Sequence, residues 1–188
     1  MIETGRFRLK GAHNVENVLA CVAVASLLKI PQEKLQRTLQ GFKTLEHRIE
    51  DCGAYRGIRF VNDSKSTTVE STKAAILSVE TPLVLVAGGR DKGADFGGIE
   101  SLLKDRVKRV VLYGEAREKI AAAWRSYQNC QMVENFGKAV RAAYASAASG
   151  DTVLLSPMCT SFDQFDSFEA RGEAFKKIFR ELKDRGLS

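Results

Sequence analysis

From residue 49 onward, short apolar runs alternate with longer stretches that are apolar on one side only. Leu83-Val84-Leu85-Val86-Ala87 is the clearest run, with no polar residue inside it, as suits a strand buried on both faces. Arg109-Val110-Val111-Leu112-Tyr113, Thr152-Val153-Leu154-Leu155 and the shorter Gln131-Met132-Val133 read the same way. Segments with helical spacing separate them, at about 69–78, 99–104, 116–126, 136–148 and 168–183. Ile49–Tyr55 and Ile58–Asn62 read as two strands joined by the short turn Arg56-Gly57. Strands alternating with amphipathic helices imply an α/β fold, a Rossmann-like and mostly parallel sheet with helices on both faces. That domain is expected to span residues 47–188.

Residues 1–46 have a different rhythm. Val15, Val18, Leu19, Val22 and Ala23 recur at helical spacing, with Leu27 and Leu28 closing the stripe. Asn14 is placed to cap this helix, and Pro31 suits the first position of a second helix ending near Gly41. Arg6–Leu9 is the one strand candidate here. Two helices and one strand enclose little, so this segment is expected to be a helical remnant of a larger domain. Its apolar stripe is expected to promote self-association.

A hydrophobic fraction of 44% and a charged fraction of 28% describe a soluble globular chain. The net charge of +6 fits an anionic small ligand, although a solvated basic surface gives the same number. Lys and Arg are spread through the helices without an aromatic-rich strand face, which argues against nucleic acid. Cys21, Cys52, Cys130 and Cys159 lack metal-type spacing, and no stretch resembles a signal peptide or membrane span. A reduced, cytoplasmic setting is the expectation.

Three polar clusters follow three of the strands. Asn62-Asp63-Ser64-Lys65-Ser66-Thr67-Thr68 combines an anion, a cation and hydroxyls ahead of a helix start, where free N–H groups favour anions. In an extended backbone Asp63 and Lys65 would point to the same side. Gly88-Gly89-Arg90-Asp91-Lys92-Gly93 is neither a Walker loop nor a dinucleotide fingerprint, but it places a point cation on a glycine-rich backbone. Ser156 to Phe168 supplies hydroxyls and a second helix start. Open α/β sheets bind ligands beyond the carboxyl ends of their strands, so three such clusters on one rim would form a site. Cys159 with His13 or His47 as base is a disfavoured nucleophile pair, since neither histidine is tied to the sheet edge by sequence. Arg48 is either an ordinary solvated residue or a clamp for phosphate or ribose at a domain seam.

Taken in order, His13-Asn14-Val15-Glu16-Asn17, His47-Arg48, Asn62 to Thr67, Gly88 to Phe96 and Ser156 to Phe165 resemble the Mur ligases. The Asp-Ser-Lys and Ser-Phe-Asp-Gln-Phe forms resemble most the branch that adds D-glutamate to UDP-N-acetylmuramoyl-L-alanine. That resemblance implies ATP-dependent amide formation through an acyl phosphate in peptidoglycan synthesis. It also implies three domains, of which residues 1–46 would be the tail of the central ATPase domain and 47–188 the amino-acid-binding domain.

By the same resemblance, Asn14 and Asn17 would meet the adenine side of ATP, and Arg48 and Asp63 its ribose or phosphate side. Thr67, Lys92, Ser161 and the backbone at Phe168 would hold D-glutamate. Lys65 and Lys92 are the candidate catalytic cations, with Lys65 between the two ligands. Mg2+ is implied together with ATP, its ligands and the phosphate cradle falling in a portion not contained in these residues. Because the Walker loop is absent, the chain alone is expected to be inactive. A sibling ligase adding another amino acid, such as a diamino acid, and a non-catalytic ligand-binding module are the alternatives. A nicotinamide oxidoreductase is disfavoured by the missing glycine fingerprint.

Overall fold

The computed structural model describes residues 12–42 and 45–186, the side chains of 12–14 and 185 excepted. The chain divides into two compact units, one ending at Leu45 and one beginning at Glu46. The strand expected at Arg6–Leu9 lies outside the described residues.

The first unit holds α1 (Ala12–Leu27) and α2 (Gln32–Gly41), with Val18, Ala25 and Leu39 buried. Because α1 already starts at Ala12, Asn14 lies inside its first turn and does not cap it. Pro31 stands one position earlier than expected, as the residue that caps α2, with an extended ψ of 134°. Most of the expected stripe faces outward: Leu19, Leu27 and Leu28 are more than half exposed, and Val15 and Ala23 are exposed as well.

The second unit is a six-stranded sheet in the order β1-β2-β6-β3-β4-β5. Its strands are β1 (Glu50–Tyr55), β2 (Ile58–Asn62), β3 (Leu83–Gly88), β4 (Val107–Tyr113), β5 (Cys130–Met132) and β6 (Thr152–Met158). Only β1 runs antiparallel, joined to β2 by Arg56 (φ 50°) and Gly57 (φ 76°), the left-handed pair that a tight two-residue hairpin needs. The helices are α3 (Val69–Ser78), α4 (Glu100–Arg106, after a 3-10 turn at Gly97–Ile99), α5 (Arg117–Ala123), α6 (Phe136–Ser146) and α7 (Phe168–Arg185).

Side-chain alternation along the strands sorts the core into two layers. Leu83, Leu85, Val110, Leu112 and Leu154 meet Ile76, Leu103 and Ile120 from α3, α4 and α5. Val84, Val86, Val111, Val153 and Leu155 meet Val140 and Phe175 from α6 and α7 on the opposite face. Both faces are therefore dry, which is why β3 carries no polar residue.

Two boundaries differ from expectation for visible reasons. The helix expected at 116–126 ends at Ala123 because Trp124 turns inward and donates its Nε1–H to Phe96 O at 2.7 Å. Strand β6 continues past Leu155 because the hydroxyl of Ser156, though fully buried, donates within the fold to Asp63 and bonds Thr72.

Candidate functional site

Strands β2, β6 and β3 are neighbours, so the three polar clusters leave the sheet side by side at its carboxyl edge. Backbone hydrogen bonds tie them together. Met158 N donates to Ser66 O at 3.0 Å, and Arg90 and Thr160 exchange N–H···O bonds of 3.0 and 3.1 Å. Met158, at φ 61°, supplies the left-handed step where β6 ends and the chain runs on toward Arg90. The expectation that the three loops share one rim is met in this geometry.

The glycine pair after β3 exists because of close approach. A Cβ on Gly88 (φ 128°) would sit 2.0 Å from Tyr113 O, and one on Gly89 (φ 127°) 2.2 Å from Thr160 O. Beyond them Asp91 accepts from Gly93 N and Ala94 N at 2.9 and 2.8 Å and pairs with Lys119. Burial is the largest single influence on its carboxyl and pushes it up. Lys119 and these N–H groups together outweigh that and hold it below the usual carboxylate range. Lys92 is left exposed at the loop tip, without an ion pair among the described residues.

Asp63 and Lys65 do not share a side. Ser66 N closes a turn onto Asp63 O at 2.9 Å, so the backbone there is not extended. Asp63 turns inward to 1% exposure, while Lys65 stays exposed with its Nζ 5.3 Å from the centre of the Phe168 ring. Asp63 Oδ1 accepts from Ile49 N at 3.2 Å and Oδ2 from Ser156 Oγ at 2.7 Å. Burial pushes its pKa up to about 6, partly offset by its hydrogen-bond donors and Arg48. Arg48 itself is exposed on the same unit.

Thr67 is half-buried and Ser161 buried, and neither hydroxyl has a partner among the described residues. Phe168 opens α7 behind its cap Ser167, whose Oγ accepts from Ala170 N at 3.1 Å. The cap satisfies Ala170 N, and Phe168 O accepts from Ser64 Oγ at 2.8 Å, which sets the start of α7 beside the loop that follows β2. Asn17 is exposed on α1, in the first unit, and of Asn14 only the backbone is described.

Sequence reasoning missed two interior groups. His47 is 4% exposed and lies 3.0 Å from Asn62 Nδ2 through its Nδ1, so it is tied to the end of β2 after all. Gly172 makes room for it, since a Cβ there would fall 2.2 Å from His47 Nδ1. This does not revive the nucleophile pair: Cys159 is 1% exposed and burial pushes its thiol up to about 12, far from a thiolate. The second is Arg171, fully buried on α7. Its signal was a charged residue on the apolar stripe that runs through Phe175, Ile178, Phe179 and Leu182.

Glu46, His47 and Glu173 are close enough to share a metal ion. Lys176 already neutralises them, with its Nζ 2.6 Å from Glu173 and 3.9 Å from Glu46. A hard ion such as Mg2+ prefers an all-oxygen shell, so this salt-bridged group does not fit it.

Comparison with known proteins is consistent across sequence and structure. Residues 47–159 match the family described as Mur ligase, glutamate ligase domain. A UDP-N-acetylmuramoylalanine–D-glutamate ligase of Desulfitobacterium hafniense (strain Y51) is 43% identical over 182 residues, which is 96% of this chain and 40% of the relative. One of Natranaerobius thermophilus is 45% identical over 177 residues, covering 93% of the chain and 38% of the relative. Among solved structures, a UDP-N-acetylmuramate-alanine ligase of Thermotoga maritima superposes with a TM-score of 0.71 at 15% identity, over 94% of this chain and 40% of that one. The chain thus spans about two-fifths of the length of these relatives.

Proposed function

The chain belongs to the Mur ligase family, and on that premise we propose that it is the amino-acid-binding part of an ATP-dependent ligase that adds D-glutamate to UDP-N-acetylmuramoyl-L-alanine. One observation carries the reading. Lys92, Lys65, Thr67 and Ser161 stand on loops of one rim, their side chains making no hydrogen bond among the described residues, and Phe168 opens α7 beside them. A dicarboxylate stripped of water needs cations and several N–H or O–H donors, and this set supplies them. No covalent nucleophile is required. Holding the amino group of D-glutamate near an acyl phosphate accounts for most of the acceleration such a step needs.

In this reading Lys92, Thr67, Ser161 and the Phe168 backbone hold the two carboxylates. Lys65 stands between amino acid and nucleotide. Arg48 would approach ATP directly, whereas Asp63, with both oxygens engaged inside the fold, would act on ATP by fixing Ile49 beside Arg48. The acyl phosphate, the Mg2+ ligands and the UDP-sugar site would come from the larger portion that the relatives have ahead of this segment. The setting is the cytoplasm, and no described helix is long and apolar enough to cross a membrane.

Joining this chain to the N-terminal three-fifths of the Desulfitobacterium relative gives the test. Phosphate release from ATP is expected only with both co-substrates, and Lys92→Ala is expected to raise KM for D-glutamate about tenfold to hundredfold, the worth of a charged hydrogen bond. An unchanged dependence on D-glutamate in that variant would defeat the assignment. A panel of amino acids separates this reading from a sibling ligase.

A further inference from the structure

Arg171 is the only lysine or arginine buried among the described residues, at 0% exposure. It lies one turn beyond Phe168, on the face of α7 that otherwise carries core residues. All of its hydrogen bonds go to neutral acceptors. Nε donates to Ser64 Oγ at 2.9 Å, Nη2 to Ser64 O at 2.8 Å, and Nη1 to Cys159 O at 3.1 Å and, more weakly, to Tyr113 Oη at 3.4 Å. It has no ion pair among the described residues, and Asp163 acts on it only from beyond contact.

For stability alone this is a poor choice, since an apolar residue at a core position avoids desolvating a charge. What an apolar residue cannot do is fix distances between loops. The guanidinium is a rigid planar fork, so its donors set where Ser64 and Cys159 stand relative to each other. Ser64 immediately precedes Lys65, and Cys159 lies two residues before Ser161. Ser64 Oγ also donates to Phe168 O at 2.8 Å, which fixes the start of α7 to the same point. Two groups assigned above to the amino acid, Ser161 and the start of α7, and Lys65 between the two ligands therefore hang on one buried side chain.

We propose that Arg171 is a positioning residue, which holds the loop of Lys65, the loop of Ser161 and the start of α7 in the mutual geometry that receives a dicarboxylate. The part that concerns the dicarboxylate rests on the function proposed above; the coupling of the loops does not.

Residue-resolved hydrogen exchange on the 188-residue chain tests the coupling. The amides of Lys65 and Thr160 are both hydrogen-bonded, to His47 O and Arg90 O. In Arg171→Met both are expected to exchange about tenfold faster, together, while β3 and β4 keep their protection, as in local opening. In the joined ligase the same variant is expected to raise KM for D-glutamate about tenfold, short of the roughly hundredfold that a 1 Å misplacement can cost. KM for ATP should stay within about twofold. Arg171→Lys, which keeps the charge and loses the fork, should behave like Arg171→Met. Ser64→Ala removes one arm of the tie and should give the same split at about threefold, which keeps the question answerable if Arg171→Met fails to fold.

A lysine variant indistinguishable from the parent, a loss of kcat with an unchanged KM for D-glutamate, or exchange that rises evenly across the sheet would each overturn the proposal. So would a Ser64→Ala protein with unaltered loops. If no protein in the series uses D-glutamate but Lys65 and Thr160 still loosen together, the proposed function falls and the positioning of the loops stands.

Discussion

Replacing Asp63 by asparagine should flatten one component of the pH dependence of stability. Burial raises the Asp63 carboxyl from 3.8 to about 6, so the folded protein holds its proton more tightly than the unfolded chain does. The sign follows from linkage: stability from this group is fully present below pH 3.8 and is lost as pH rises through about 6. At about 1.4 kcal/mol for each tenfold difference in proton affinity, the whole effect is about 3 kcal/mol. The substituted side chain is close in shape and can still accept from Ile49 N, so Asp63→Asn removes the charge while keeping that contact. Urea unfolding of both proteins from about pH 4 to about pH 7.5 gives the comparison. Taking the difference cancels groups such as Asp91 and Asp151, whose lowered pKa values act in the opposite direction. The stability of the parent should fall by about 2.5 kcal/mol relative to the variant across that range, the remainder lying below about pH 4. Parallel curves would mean that Asp63 is not a buried, internally bonded carboxylate, and the account of how β2 and β6 are joined would fail with it.

Gly88→Ala should lower stability by several kcal/mol, about 3 or more, because its Cβ would meet the backbone at Tyr113 in a conformation that L-residues avoid; a melting curve checks it. Cys159 should resist a thiol reagent in the folded protein while Cys21, which is exposed, reacts at once; rapid labelling of Cys159 would contradict its burial. The exposed leucines and valines of α1 should drive concentration-dependent association, and a clean monomer by light scattering across a wide concentration range would count against it.

The architecture was legible wherever burial alone decides. The unbroken run Leu83–Ala87 could only be a central strand, and the spacing of apolar residues after Val69 marked its flanking helix. The Gly88-Gly89 pair was readable as a turn, but not its reason, because the atoms that forbid a side chain belong to Tyr113 and Thr160. Arg171 could have been flagged by its place on an apolar stripe, yet nothing in the local sequence names its acceptors, which lie 107 and 12 residues away. Asp63 and Lys65 were misjudged together, since a single backbone turn at Ser64 decides which of them faces the interior.

Taken by itself, the order of residues determined the strands, the helices and the chemistry at each loop tip, since these depend on neighbours a few positions apart. Only the tertiary structure decided that β6 enters between β2 and β3 and brings those tips together. Strand order is set by which apolar faces fit one another across the sheet, and that complementarity between distant segments has no local signature. The same insertion explains why a carboxylate and an arginine are buried at the rim. Asp63 and Arg171 each find hydrogen bonds across the gap between the ends of β2 and β6.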